Sequence, residues 1–418
     1  MAEVLPPGQG GLATLLAPFR ASRAFTTLFA GQALSRFGDA VLYVLLPLVT
    51  YGLSHNPLAM AVVSAAYTVP QLFALPLSGL LVDRMSRIWL MRLADLVRLI
   101  VLGILAMLLA RHILNLREMV GGAILYGLMD AVFLPAYGAV RAEVFLEPIR
   151  TAANSLTQTA QQVAMVAGPA VGGLLATLGS PAAGLAFDAL TFLVSFVSLS
   201  FLTLPPRPQV LDDDAPRLPF LAQIRGGLDA LRPHPWLWQT ILVFSVTNIA
   251  SNGLVDVLVP WYVKVHLSLP GDDYGFAMTG MAAGSLVMAF VYGQRARWRR
   301  RGMLAYAGAA VWALSLGAVA LFHAIVPIVL VLAVSGAGAI LFALIWEISL
   351  QEMVPVEYFG RVVSLDMLGS TALVPAGYLA IGALADAVGG VPTLLVTGAL
   401  GAVIMLAMIG TRAVRQYS

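Results

Sequence analysis

The sequence predicts an all-α membrane protein: twelve transmembrane helices in two pseudo-symmetric six-helix bundles. Three observations predict it. Of the 418 residues, 60% are apolar and only 11% charged, where a soluble domain carries roughly a quarter charged residues; the mean hydropathy is +0.88. Apolar runs of about 18 residues or more, long enough to cross a hydrocarbon layer as helices, recur along the whole chain. One long polar break, residues 204–236, divides the chain after six of them. Each run must be a helix, because an isolated strand in lipid would leave its backbone donors and acceptors unpaired.

The first span, 24–53, carries Gln32, Arg36, Asp39 and Tyr43 at steps of four, three and four. That spacing puts all four on one helix face, with Arg36 and Asp39 close enough to pair. The second, 58–81, contains no Asp, Glu, Lys or Arg and runs into the charged break "GLLVDRMSRIWL" at 79–90. The third, 88–110, encloses Arg98. The fourth, 119–140, repeats the polar stripe with Tyr126, Asp130, Phe133 and Tyr137. The fifth, 152–178, has Asn154, Gln158, Gln161 and Met165 ahead of "GPAVGG" at 168–173. The sixth, 182–203, contains Asp188, expected near the external end and outside any site.

The polar break opens "LPPRPQVLDDDAPRLP", whose prolines and aspartates cannot continue a membrane helix. Phe220, Leu221, Ile224, Leu228 and Leu231 then recur at helical spacing with Arg225, Asp229 and Arg232 between them. This predicts an amphipathic helix lying on the cytoplasmic membrane surface. The chain thus reads as an N-terminal half (1–203), a linker (204–236) and a C-terminal half (237–418). The second half supplies spans at 237–263, with Ser245, Asn248, Asn252 and Asp256, then 274–293, 303–323, 325–349 with Glu347, 362–386 with Asp366, and 391–411.

The halves read as repeats. "GLLVDRMSRIWL" at 79 and "GQRARWRRRGML" at 293 both follow the second span of a half, 214 residues apart, and Pro47 matches Pro260 at an offset of 213. Charge sets the orientation. With a cytoplasmic N-terminus, 19 of the 24 Lys and Arg residues fall on cytoplasmic ends, Arg111, Arg117 and Lys264 fall outside, and Arg36 and Arg98 lie within spans. The reverse topology would expose "RARWRRR" at 295–301, against the positive-inside rule. Both termini are therefore expected in the cytoplasm of a multi-pass cell-membrane protein, and no cleavable signal precedes the first span.

Composition also excludes functions. Cysteine is absent, which removes disulfides, thiolate catalysis and Cys-based metal sites. The five histidines fall near segment ends or in loops and no two are spaced as metal ligands, so neither a metal nor a cofactor is expected, and nothing recommends an enzyme. The pI of about 9.3 reflects arginines anchoring cytoplasmic loops rather than a nucleic-acid partner.

Gly79, Leu81, Asp83, Arg84 and Arg87 resemble the loop 2–3 signature of the major facilitator superfamily, G-x-L-x-D-R-x-G-R, with Ser86 in place of its second glycine and Ile88 in place of a basic residue. Gly168, Pro169, Gly172 and Gly173 resemble the antiporter motif of that superfamily's exporters. The opening "FRASRAFTTLFAGQALSRFGDAVLYVLLP" and "ANSLTQTAQQVAMVAGPAVGGLLA" are similar to the drug:proton antiporter branch that includes macrolide-efflux and enterobactin-exporter-like proteins. The resemblance implies the major facilitator fold and a cytoplasmic latch. In it Asp83 docks at the start of the eleventh span, near Gly360 and Arg361, in the outward-open state, and Arg87 pairs with an acid ending the fourth span, for which Glu143 is the candidate. A helix N-terminus favours such an anion. In the second half Arg297 stands where Asp83 does in the first, so the latch is one-sided.

A charge in mid-membrane costs about 2.5–3.5 kcal/mol on insertion scales, so the polar stripes need a reason. The resemblance implies that the first, fourth, fifth, seventh, tenth and eleventh spans line a central cavity. Its expected residues are Gln32, Arg36, Asp39, Tyr43, Tyr126, Asp130, Tyr137, Gln158, Gln161, Asn248, Asn252, Asp256 and Glu347. With Arg36 as the one strong cation, phosphorylated cargo is disfavoured, and aromatics, amides and scattered acids suit a neutral or cationic amphiphile. The expected function is a proton-coupled exporter of small hydrophobic or amphiphilic compounds, working as a monomer in the lipid bilayer by alternating access. A lysophospholipid or siderophore transporter of the same fold is the alternative. Asp39 is the first candidate for the coupling acid, then Asp130, Asp256 and Glu347.

Overall fold

The structure, a computed structural model, describes residues 16–146, 149–202, 228–294 and 298–417. Among them it has twelve helical spans long and apolar enough to cross a membrane, and no strand. They are α1 Arg23–Leu53, α2 Pro57–Arg84, α3 Arg87–Ala110, α4 Leu116–Val144, α5 Arg150–Leu174, α6 Pro181–Ser200, α7 Pro235–Gly253, α8 Gly271–Gly293, α9 Arg301–Ala318 and α10 Ile325–Met353. The eleventh span combines α11 Val356–Thr371 with α12 Val374–Val388, and α13 Gly390–Ile409 is the twelfth. A short side chain caps several N-termini: Ser22 accepts from Phe25 N–H, Ser86 from Trp89 N–H and Ser180 from Ala183 N–H.

Local chemistry refines the expected spans at three places. α4 outruns 119–140 at both ends. Its start is set by a capping box, in which the Asn115 side chain accepts backbone N–H bonds and Glu118 reaches back to the Asn115 N–H. The helix carrying the eleventh span starts at Val356, ahead of the membrane span proper at Leu365–Val388, and the span is not one helix. It breaks at Ala372 and Leu373 because Pro375 brings no N–H and its ring crowds the Thr371 carbonyl. The seventh span runs on to His266 through wide π-turns at Leu254–Leu258 and Tyr262–His266, on either side of Pro260.

The chain forms two compact units. The first comprises residues 1–54, 66–206 and 270–279, the second 55–65, 207–269 and 280–418. In the first, α1 packs on α5 and α6, and α3 on α4 and α6, around Phe25, Leu28, Met91, Phe133, Tyr137 and Phe145. α3 shows how lipid inverts ordinary patterning. Leu96, Ile100, Ile104 and Met107 are exposed while Asp95 and Arg98 are buried, because only the bundle interior offers hydrogen bonds.

In the second unit α9 packs on α10 and α13, and α7 on α11 and α12. Its core gathers Trp236, Phe244, Tyr306 and Phe342, with Phe244 and Phe342 stacked at 3.8 Å. Of the predicted amphipathic helix, residues 220–227 lie outside the described residues. Leu228 to Leu231 is helical, but Leu231 is buried in the second unit's core instead of facing a membrane surface.

Candidate functional site

In the first unit the helices place their polar side chains around one buried cation. Arg98, 2% exposed, donates through Nη2 to Asp95 Oδ1 at 2.7 Å and through Nη1 to Asp130 Oδ1 at 2.8 Å. Its guanidinium lies between the rings of Phe133 and Phe192, 4.5 and 4.4 Å from their centroids. Asp95 and Arg98 meet because they are three residues apart on one helix, and α4 brings Asp130 across. Asp95 Oδ2 accepts from Ser195 Oγ at 2.6 Å, and Ser195 Oγ accepts from Gln32 Nε2 at 2.8 Å. Asp130 Oδ2 accepts from the Tyr67 hydroxyl at 2.6 Å.

Asp39 lies at the edge of this network. Its Oδ1 accepts from the Tyr126 hydroxyl at 2.7 Å, and its Oδ2 lies 3.7 Å from Arg36 Nη1. Arg36 and Asp39 are each only about two-thirds enclosed, at 35% and 27% side-chain exposure, where Asp95 is fully enclosed. This pair can therefore be reached and broken, whereas Arg98 and Asp95 are enclosed.

Gln32, Arg36, Tyr137 and Gln161 line a cavity of about 200 Å³ in this unit, together with Arg141 and Phe29. Arg141 corrects the expectation that Arg36 is the one strong cation; it donates to Asn154 Oδ1 at 2.7 Å. Gln158 is exposed, and Tyr43 is 45% exposed. Neither is among that cavity's lining residues.

The second unit holds a larger cavity, about 530 Å³, within the range of small-molecule sites. Phe244, Trp312, Phe342, Trp346 and Phe359 line it, with Asn248, Glu347 and Asp366 as polar members and no Lys or Arg among the described lining residues. The Trp346 indole N–H donates to Asp366 Oδ2 at 3.0 Å, which fixes a carboxylate against an aromatic wall. Asn252 donates to the Asn248 carbonyl at 2.9 Å, and Asp256 accepts from the Tyr378 hydroxyl at 2.8 Å.

At the α2–α3 break, Arg87 donates to Glu143 at the end of α4, and Arg84 is exposed. Gly79, Asp83, Gly360 and Arg361 have side-chain positions outside the description, and Arg297 lies outside the described residues altogether. The GPAVGG segment sits at two close helix contacts. A Cβ on Gly168 or Gly172 would strike Ala40 or the Val41 carbonyl of α1, and one on Gly173 would strike Asp272 and Gly275 at the start of α8. Thr177 Oγ1 donates to Asp272 Oδ1 at 3.0 Å beside that contact.

Sequence reasoning missed Asp95, Ser195 and Tyr67, and treated Arg98 only as a charge within a span. A signal was present. An acid and an arginine three apart inside an apolar span are too costly to bury unless they pair, which Asp95 and Arg98 do.

A family model described as Major Facilitator Superfamily matches residues 28–377. The chain is 26% identical to the "Uncharacterized MFS-type transporter YfiS" of Bacillus subtilis (strain 168), over 94% of this chain and 93% of that one. It is 24% identical to "Macrolide efflux protein A" of Streptococcus pyogenes, over 90% of this chain and 93% of the relative. The fold is similar to the solved structure of a bacterial homologue of the iron transporter ferroportin in its inward-facing state, at a TM-score of 0.69 and 20% identity, covering 92% of this chain and 98% of that one.

Proposed function

Because the chain belongs to the Major Facilitator Superfamily, and is thus a transporter and not an enzyme, we propose that it is a proton-coupled exporter of hydrophobic or amphiphilic compounds. It works by alternating access, as a monomer in the cell membrane with both termini in the cytoplasm. The observation that carries the cargo class is the 530 Å³ cavity of the second unit, walled by five aromatic side chains and holding two carboxylates with no described cation. Ring faces attract cations and shed water from apolar groups at once. A phosphorylated or carboxylate cargo would find no cation among the described lining residues to neutralise it. Export as the direction is supported by the relative named for macrolide efflux.

Coupling requires an acid that is reachable, paired in one state and free to protonate in another. Asp39 meets this description: it is partly exposed, held by the Tyr126 hydroxyl and by a loose ion pair to Arg36. Protonation of Asp39 releases Arg36, so a proton exchanged there changes the charge of the neighbouring cavity. Arg87 with Glu143, and by resemblance Asp83 docked at the start of the eleventh span near Gly360 and Arg361, act as the cytoplasmic latch.

The test is uptake into inside-out proteoliposomes of the purified protein, with tetraphenylphosphonium and a macrolide as probes. A pH gradient, acid inside, is expected to drive several-fold accumulation of at least one probe, which dissipating the gradient abolishes. Accumulation of only lysophospholipid or siderophore under the same gradient would move the cargo class to those compounds. Accumulation indifferent to the gradient would remove the proton from the reading.

A further inference from the structure

The carboxyl group of Asp188 is used by nothing described above. It lies on α6, 0% exposed. Its Oδ1 has the Thr191 hydroxyl at 3.0 Å, but that hydroxyl's single hydrogen also has the Asp188 carbonyl in reach at 2.8 Å. Its Oδ2 is buried without a hydrogen-bond partner among the described residues. The position is nonetheless built. A Cβ on Gly38 of α1 would strike both Asp188 Oδ1 and Thr191 Oγ1, so only glycine there admits this carboxyl group against the α1 backbone, one residue before Asp39.

The charged and titratable groups facing Asp188 come from each neighbouring helix: Asp39 from α1, Arg98 from α3, and Tyr126 and Asp130 from α4. The cations among these surroundings are already engaged. Arg98 gives one Nη to Asp95 and the other to Asp130, and Arg36 faces Asp39. Four carboxyl groups thus share two guanidiniums, and Asp188 is the one left without any. A buried group in that position sheds its charge rather than keep it unpaired, and acids that share so few cations do not ionise independently.

We propose that Asp188 is a proton-binding residue, held as the neutral acid in the arrangement seen here and exchanging its proton in concert with Asp39. The step moves only a proton. When Asp188 gives it up, the group becomes a carboxylate and Asp39, taking it, becomes the acid and frees Arg36. The inference rests on the proton-coupled reading and adds to it a second proton-binding group, seated against Gly38, the residue before Asp39.

The experiment is infrared spectroscopy of the full-length protein in lipid at neutral pH, reading the carbonyl stretch of protonated carboxylic acids and its shift on exchange into D2O. The wild-type band is expected to lose a component in Asp188→Asn and to retain that component in Asp39→Asn. A spectrum of Asp188→Asn that superimposes on wild type overturns the assignment. Should Asp188→Asn not fold, Thr191→Val decides, since it keeps the acid and removes the hydroxyl facing it. A shifted band supports the proposal and an unmoved one overturns it. In proteoliposomes Asp188→Asn is expected to flatten the pH dependence of gradient-driven tetraphenylphosphonium accumulation. If the wild type accumulates nothing under a gradient, the export reading fails on its own, while the infrared band still decides the state of Asp188.

Discussion

Arg98 holds together the polar interior of the first unit, because three helices meet at its two ion pairs and two ring faces. Arg98→Met leaves Asp95 and Asp130 without their cation, and breaking one side of a buried pair costs about 3–5 kcal/mol. The expected outcome is a marked fall in melting temperature and in folded yield. Arg98→Lys is expected to recover only part of it, since an ammonium cannot reproduce the guanidinium fork. Asp39→Asn is the opposite case. Its carboxylate is partly exposed, so folding is expected to survive while gradient-driven accumulation is lost and tetraphenylphosphonium still binds. Asp130→Asn, whose acid is tied to Arg98 and Tyr67, is expected to lower stability more than coupling. In the second unit, Trp346→Ala removes both an aromatic wall and the donor to Asp366. Loss of a cation–π contact worth about 0.5–2 kcal/mol predicts a several-fold weaker tetraphenylphosphonium Kd, measured by calorimetry. An unchanged Kd would place the cation elsewhere.

Elements carry the next level of control, through contacts that small residues permit. The glycines of α5 let it lie against α1 and against the first turns of α8, and in a membrane such close approach replaces the hydrophobic drive that lipid cannot supply. Gly173→Leu would push α5 away from Asp272 and Gly275 and strain the nearby Thr177–Asp272 hydrogen bond. Lower transport with near-normal insertion into the membrane is expected, read as transport rate per inserted protein. Wild-type rates in this variant would reduce the segment to an ordinary packing site. The break between α11 and α12 also belongs to this scale. Pro375 sets it, and hydropathy alone predicts one helix through it because apolar length does not report backbone hydrogen bonds.

For the whole molecule, the proposed topology makes a direct prediction in a chain without cysteine. A thiol reagent that cannot cross membranes is expected to label His112→Cys in intact cells and Arg299→Cys only after permeabilisation. Labelling of Arg299→Cys from outside would invert the orientation. The twelve spans were legible from one-dimensional information: run length, the polar break at 204–236 and the near-absence of charge between. Part of the candidate site was legible too. Arg36 with Asp39 follows from helical spacing, and Arg87 with Glu143 from a motif.

Lipid is a solvent that punishes every unpaired polar group, so a chain that crosses it must write its spans as long apolar helices, and these can be read without coordinates. Which polar groups pair is another matter. Asp95 finds Ser195 a hundred positions away, Arg98 finds Asp130 thirty-two away and Tyr67 finds Asp130 sixty-three away. By its position in the chain Asp188 reads as an end-of-helix acid, but Gly38 of another helix makes room for its carboxyl group. Sequence by itself determined how many spans there are and which faces carry polar atoms. Only the tertiary structure decided which charges are neutralised and which one is left over, because pairing depends on distances between helices that no spacing along the chain contains.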